Sequence, residues 1–593
     1  MWISNIKIKN FRKAPMNKFI SIELKEGLNL LVGENNVGKT SIIESIALCL
    51  NYGSPERNIW LKEDDFNCKD ESIEIIVEFS GLSESQEATF LQALVIDEAQ
   101  KTHKLKFHFI FEMKGDRIQP TIKCGELDAT SNPFDLLKYL RAMYLGALRD
   151  VNIEFNPGYR SRIGKILKSR FGDKDGDFLK IFRDANELAL KHKGEKNPVK
   201  LLENETNENI NKLSLKGDNN RICLHFVEQE QNRILTNVEM KLEEKGLDIK
   251  TNGLGYNNLI FISTILTELN VEEKINPHTF NCLLVEEPEA HLHPQLQSLL
   301  LEFLQTEYKN IQVILTTHSP TIASIVDLDN LNILNQADDE IQGVLLKNAG
   351  LDNDCKEYLE KYLDVTKSQL FFARRIIFVE GITEAILIKD FWNSVYSKPE
   401  DKFDRQGIEI VNIQGVAFNP YVDLIKNVFK KTKVKSVIIT DDDRGTGRAC
   451  PVDKRFLEGG VIKSTEKIVS IFNSSPISSR AIKLKDSVDL LKKEGYKTEI
   501  YLAKKTFEVE FGIANKKNKK LLEKLIGLEE KELETFSDIS LGVEVWKRIV
   551  ESDLKSKFAM NALSNLSGKI FTDKGKVEVP QYFKDAFEYL KND

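Results

Sequence analysis

No CxxC pair occurs among the seven cysteines (Cys49, Cys68, Cys124, Cys223, Cys282, Cys355 and Cys450). Neither a zinc ribbon nor a disulfide framework is indicated, and a reduced compartment fits their scatter. No run approaches the roughly 20 apolar residues that span a bilayer. The opening MWISNIKIKNFRK alternates like a strand and lacks the apolar centre of a signal peptide, so a cytoplasmic protein without a membrane partner is expected. There is no basic excess either: the net charge is −7, which argues against coating nucleic acid with the whole surface. Lysine clusters at 430–435 and 516–523 still offer local contacts to phosphate, although solvated surface is the commoner role of such runs. Low-complexity tracts and internal repeats are absent as well. With 41% hydrophobic and 30% charged residues the chain reads as folded, and 593 residues exceed what one core organises.

What is present begins with Gly33-Glu34-Asn35-Asn36-Val37-Gly38-Lys39-Thr40, a match to G-x-x-x-x-G-K-[ST] between an apolar strand and an amphipathic helix that continues through Ser41. Gly33 and Gly38 let backbone N–H groups curl around phosphates, Lys39 neutralises the β/γ oxygens, and the Thr40 hydroxyl suits Mg²⁺. The helix aims its positive end at the nucleotide, which is read as ATP. Far downstream the strand CLLV runs into Glu286-Glu287-Pro288. There Glu286 is expected to hold Mg²⁺ through water and Glu287 to polarise the attacking water.

The last third carries a second chemistry. Strand-like RIIFV ends in Glu380-Gly381, with Glu384 one helical turn on, and VKSVIIT ends in Asp441-Asp442-Asp443. Carboxylates gathered at the carboxyl edge of a parallel sheet can bind one or two Mg²⁺ ions that stabilise the attacking and leaving oxygens of a phosphodiester. The apolar strands RIIFVEG, IEIVNIQG, VKSVIITDDD and EIYLAKK predict such a sheet.

Several segments carry family resemblances. Thr316-Thr317-His318-Ser319-Pro320 resembles the switch region of ABC-type ATPases, in which the histidine senses the γ-phosphate. TNGLGYNN at 251–258 occupies the place of their signature, with Asn252 where serine is usual, and implies a dimer. IKNFRK resembles the starts of RecF- and SMC-like ATPases, which puts Arg12 near the phosphates. The ordered E-G…G…D-x-D set, with Gly415 between the acids, resembles the Toprim domain. An ABC-type ATPase followed by Toprim resembles the OLD (overcoming lysogenization defect) nuclease family over nearly the whole chain; YLGALRD at 144–150 agrees.

That resemblance implies an α/β fold: ATPase segments at 1–160 and 246–350, a helical, dimerising insertion at 161–245, and a Toprim domain at 370–593. It also implies one metal site at Glu380, Asp441 and Asp443 and a second favoured by Glu384 and by Glu508 of Thr506-Phe507-Glu508. Lys555 would act on the scissile phosphate, or Lys557 if the register differs. Glu510, placed by strand alternation on the face of Glu508, is a further possible ligand. Mn²⁺ or Ca²⁺ could replace Mg²⁺, DNA is the expected partner, and anti-phage defence beside a helicase or reverse transcriptase is the implied setting. Two other readings stay open: a RecF/SMC-like repair ATPase without nuclease activity, and a topoisomerase-like enzyme, which needs a nucleophilic tyrosine that no sequence context singles out among Tyr496, Tyr501, Tyr582 and Tyr589.

Overall fold

The computed structural model describes residues 1–54, 59–97, 102–126, 130–131, 133–146, 158, 161–171, 176–192, 194–213, 222–224, 231–238, 240, 253–276, 278–290, 292–307, 311–337, 340–363, 367–429, 432–444, 457–458, 461–552 and 577–592. They form two compact units. The first holds residues 1–145, 282–289 and 294–593; the second holds 146–281 and 290–293.

In the first unit, strands that alternate build one sheet and strands that do not build another. β1 (Trp2–Lys9), β2 (Ile20–Glu23), β4 (Ile73–Ser80), β5 (Leu94–Asp97), β6 (Thr102–Lys114), β7 (Arg117–Cys124) and β8 (Thr130–Ser131) make a seven-stranded antiparallel sheet. β4, IEIIVEFS, buries every second residue, as expected where one face packs and the other meets polar surroundings. β3 (Leu28–Val32) and β11 (Gln312–Thr317) are buried at every position, the signature of parallel strands covered on both faces. They pair in parallel, flanked by β10 (Phe280–Glu286) and β12 (Leu331–Ala337), in the order β13-β12-β3-β11-β10-β9, with β13 at Glu340–Leu345 and β9 at Leu140–Leu145. The buried Gln312 side chain ties the two sheets: its Oε1 accepts from Ile3 N–H at 2.8 Å and its Nε2 donates to Ile3 C=O at 2.9 Å.

The third sheet is wholly parallel: β15 (Ile408–Asn412), β14 (Arg375–Val379), β16 (Lys435–Asp441) and β19 (Thr498–Ala503), in that order. Its four strands are the four apolar runs expected from the sequence. β17 (Leu457–Glu458) and β18 (Val461–Ile462) form a separate short hairpin. Because all four strands of the parallel sheet point the same way, Glu380, Gly415, Asp441 and Thr506 emerge at one edge.

The second unit is helical, with helices at Arg162–Phe171, Gly176–Lys191, Pro198–Leu213, Gln231–Thr236 and Leu254–Ile275. It carries a part-buried ion pair, Arg162 Nη1 to Glu268 Oε2 at 2.8 Å.

Candidate functional site

The nucleotide loop leaves β3 at Gly33 and enters the helix Lys39–Leu50 after Gly38, whose φ of 100° is the left-handed geometry glycine tolerates. Gly33 is required for a different reason: a Cβ there would meet the Leu334 carbonyl oxygen of β12 at 2.3 Å. Asn35, Asn36 and Thr40 are exposed at the mouth of the loop, and Ser41 is half-buried. Lys39 is buried; its Nζ donates to the carbonyls of Gly33 and Glu34, both at 2.7 Å, and lies 3.2 Å from His318 Nδ1. An ammonium has only donors, so Nδ1 accepts and the imidazole proton sits on Nε2, which faces Glu287 Oε1 at 3.6 Å. Burial and then Lys39 push the His318 pKa down against the pull of Glu287, so the ring is neutral at pH 7. Lys39, Glu287 and His318, far apart in sequence, therefore form one chain of contacts at the carboxyl ends of β3, β10 and β11. Glu286 ends β10 and is buried, while Glu287 turns out of the strand with φ 44°.

Sequence reasoning missed Glu289. Its Oε1 accepts from the Thr317 hydroxyl at 2.7 Å and from His318 N–H at 2.8 Å, so it holds the histidine against the loop. The only signal was its place two residues past Glu287. Arg12 is engaged by Glu44, one helical turn past Thr40, and by Asp65 at 2.8 Å. It is the next residue, Lys13, that reaches the loop and donates to the Asn36 carbonyl at 2.7 Å. Tyr144 donates to Glu44 at 3.2 Å; residues 147–150 and Asn252 lie outside the described residues.

Burial, opposed by Glu287, Glu289 and Glu34, pushes the Lys39 pKa down to about 8. A bound triphosphate adds negative charge and favours the ammonium, so the pKa rises on binding. ATP affinity is then expected to hold level below about pH 8 and to fall as pH rises beyond it, by up to about tenfold per unit. Calorimetric titration between pH 7 and 10 checks this; affinity independent of pH would remove Lys39 from the phosphates.

At the edge of the parallel sheet, Asp441 is half-buried and receives Phe507 N–H on Oδ1 at 3.0 Å. That bond starts the helix Phe507–Ala514 with Thr506 as its N-cap. The strand expected to carry Glu508 and Glu510 is thus corrected: both lie on this helix, where residues two apart point about 200° apart. Glu508 is buried, whereas Glu510 turns back to accept from Lys504 N–H at 3.3 Å.

Asp442, between the two predicted ligands, has another task. It accepts from Lys505 N–H at 2.9 Å and from Arg444 N–H at 3.0 Å, and pairs with the Arg444 guanidinium at 2.6 Å, pinning the turn. Asp443 follows with φ 47°. Gly415 N–H donates to the Glu380 carbonyl at 3.0 Å. A Cβ at Gly381 would stand 2.9 Å from Glu384 Oε2, so this glycine leaves room for that carboxylate.

Burial, then Glu380, Glu384, Glu508 and Asp443, push the Asp441 pKa well up. Five carboxylates thus act on one another. Among the described residues, however, no three His, Cys, Asp or Glu are gathered closely enough to hold a metal ion. The guanidinium of Arg480 stands between Glu380 and Asp443 instead, 3.4 and 2.6 Å away. The donor set nevertheless suits a hard divalent cation: it is all oxygen, and the buried Thr506 hydroxyl has no hydrogen-bond partner. Lys555 and Lys557 lie outside the described residues.

Fold and site define a P-loop ATPase joined in one chain to an acidic, Toprim-like sheet. The chain belongs to the AAA ATPase domain family, whose model matches residues 1–134 and 144–323, and residues 371–443 match the overcoming lysogenization defect protein-like TOPRIM domain. Among curated relatives, Endonuclease GajA of Bacillus cereus (strain HuB5-5) is 25% identical over 75% of this chain and 77% of its own. The OLD nuclease of Thermus scotoductus is 24% identical over 76% and 83%. The Retron Vc95 probable ATPase of Vibrio cholerae is 22% identical over 57% and 74%.

Proposed function

We propose that this chain is an ATP-hydrolysing, divalent-metal-dependent DNA endonuclease of the OLD type. The observation that carries the reading is the convergence of Glu380, Asp441 and Asp443, separated by some 60 residues of sequence, at one sheet edge in a chain with a complete nucleotide loop. Glu380, Asp441 and Asp443 hold one cation, while Glu384, Thr506 and Glu508 favour a second; Mg²⁺ is the expected ion, with Mn²⁺ or Ca²⁺ able to replace it. A cation held there would supply water activation and neutralise charge developing on the phosphodiester oxygens. At the other site Thr40 and Glu286 serve the nucleotide's Mg²⁺, Glu287 orients water, and His318 reads the γ-phosphate.

The endonucleases among the relatives support a DNA substrate, and the retron ATPase supports a setting in phage defence beside a partner such as a reverse transcriptase or helicase. Ile181, Leu188, Leu201 and Leu202 on two helices of the second unit are exposed, and such apolar surface supports self-association. No described helix is long and apolar enough to cross a membrane; a cytoplasmic site of action fits this and the scatter of the cysteines.

A non-cutting RecF-like ATPase leaves the convergent acids without a task. Strand passage needs a reactive tyrosine, yet burial pushes Tyr582 well up and Tyr501 and Tyr589 to about 12, while Tyr496 is buried. The test is incubation of supercoiled plasmid with the full chain and Mg²⁺ or Mn²⁺, with and without ATP. Nicked or linear product that vanishes with EDTA is expected; intact plasmid under every nucleotide condition would sink the nuclease reading.

A further inference from the structure

The guanidinium of Arg480 occupies the acidic edge on several contacts at once. Nη2 donates to Asp443 Oδ2 at 2.6 Å and to the Asp441 carbonyl at 3.0 Å, and approaches Glu380 Oε2 at 3.4 Å. Nη1 lies 3.3 Å from Thr440 Oγ1, whose own hydroxyl donates to Glu380 Oε2 at 2.5 Å. One side chain thereby joins the ends of β14 and β16, the two strands that carry the acids.

Its backbone is fixed independently of these contacts. Ser478, the N-cap of the helix Ser479–Lys493, accepts from Ala481 N–H on its hydroxyl and donates its own N–H to the Asp442 carbonyl at 3.0 Å. The helix start is therefore tied to the Asp441–Asp443 turn, and only the arginine side chain need move. About a quarter of that side chain is exposed, which leaves it a way out toward solvent.

We propose that Arg480 is an exchangeable counter-charge and a catalytic residue of the nuclease centre: it holds Glu380 and Asp443 until a divalent cation takes them, then binds the scissile phosphate. This rests on the nuclease reading above. A single positive charge shared among Glu380, Asp443 and their neighbours Asp441, Glu384 and Glu508 prevents their mutual repulsion from opening the sheet edge. A dication held by the same carboxylates displaces the guanidinium by charge repulsion and by competition for the same oxygens. The freed planar fork matches two phosphate oxygens, a fit that a lysine ammonium, as a point charge, does not reproduce. The residue that opposes cation binding is thus the one that meets the charge developing on the phosphate.

Two readouts on the full chain separate this from a merely structural role. Mn²⁺ binding without DNA, followed by calorimetry or by the Mn²⁺ spin-resonance signal, should tighten by about tenfold in Arg480→Gln, because the competitor is gone. Plasmid cleavage at saturating Mn²⁺ should nevertheless slow by about a hundredfold. Arg480→Lys, which keeps the charge and the fold, should bind Mn²⁺ within about twofold of wild type yet cleave at least about tenfold more slowly. Unchanged or weaker Mn²⁺ binding in Arg480→Gln, or full cleavage at saturating Mn²⁺ by either variant, overturns the proposal. Failure of the nuclease reading is told apart by the wild type: it would show no Mn²⁺ site that Asp441→Ala removes, and no cleavage at all.

Discussion

Asp441→Asn should abolish metal-dependent DNA cleavage, by at least about a thousandfold or about 4 kcal/mol of barrier, and should at the same time make the metal-free protein more heat-stable. The first half follows from position: Asp441 ends the central strand β16 beside β14, and four other carboxylates act on it. The second half follows from the same crowding. Burial and those neighbours raise the Asp441 pKa, and an acid whose folded pKa lies above its unfolded value destabilises the fold once ionised. The folded protein therefore gains stability as pH falls through the raised value and loses it above. Asparagine carries no charge but keeps an Oδ1 that can accept from Phe507 N–H, the bond that begins the helix Phe507–Ala514. A gain of roughly 1 kcal/mol, or about 2–4 °C in Tm, is the expected size in chelator, with the added stabilisation by Mn²⁺ seen in wild type lost. Thermal melts with EDTA and with Mn²⁺, run beside the plasmid assay, check both halves. A variant that cuts at the wild-type rate would remove Asp441 from the chemistry, and one that melts lower in EDTA would show that its carboxylate serves the fold instead.

Much of this was legible in the sequence, because parallel strands turn linear order into spatial convergence. Val32, Glu286 and Thr317 end strands buried at nearly every position, so whatever follows them must emerge at one edge, and the loop, Glu287 and His318 do. The same holds for Glu380 and Asp441. Other features had no local signal. Arg480 lies on a helix 37 residues past Asp443, where nothing in the neighbouring residues distinguishes it from a surface arginine; only the pinning of Ser478 to the Asp442 carbonyl brings it to the acids. Glu508 and Glu510 were misread because their alternating apolar neighbours suit a strand, while the helix begins on a bond from Asp441, 66 residues away. The motif that singles out Arg12 likewise gave no hint of the carboxylates that engage its guanidinium, Glu44 and Asp65.

Lys39→Ala should reduce ATP turnover by at least about a hundredfold, some 2.7 kcal/mol, and leave the fold intact. The ammonium is held by two loop carbonyls and the His318 ring, all poised where phosphate oxygens arrive. Removing it takes away a cation that the fold must desolvate, so no large drop in Tm is expected. The variant also reports on how the two chemistries communicate. Glu34, the residue after Gly33, pairs with Arg374 Nε at 2.6 Å, and Arg374 immediately precedes the five-residue strand β14, which leads directly into Glu380. An exposed pair of this kind contributes little to stability, but it lies on a short, continuous route from the nucleotide loop to the acidic edge. A second link, Asn335 Nδ2 to the Thr432 carbonyl at 2.5 Å, joins β12 to the segment entering β16. Any effect of ATP on cleavage, of either sign, should therefore disappear in Lys39→Ala, while the ATP-free cleavage rate stays near wild type. Turnover retained by this variant would refute the nucleotide-site assignment; an ATP effect that survives the loss of turnover would place the coupling in nucleotide binding rather than in the Lys39 contacts.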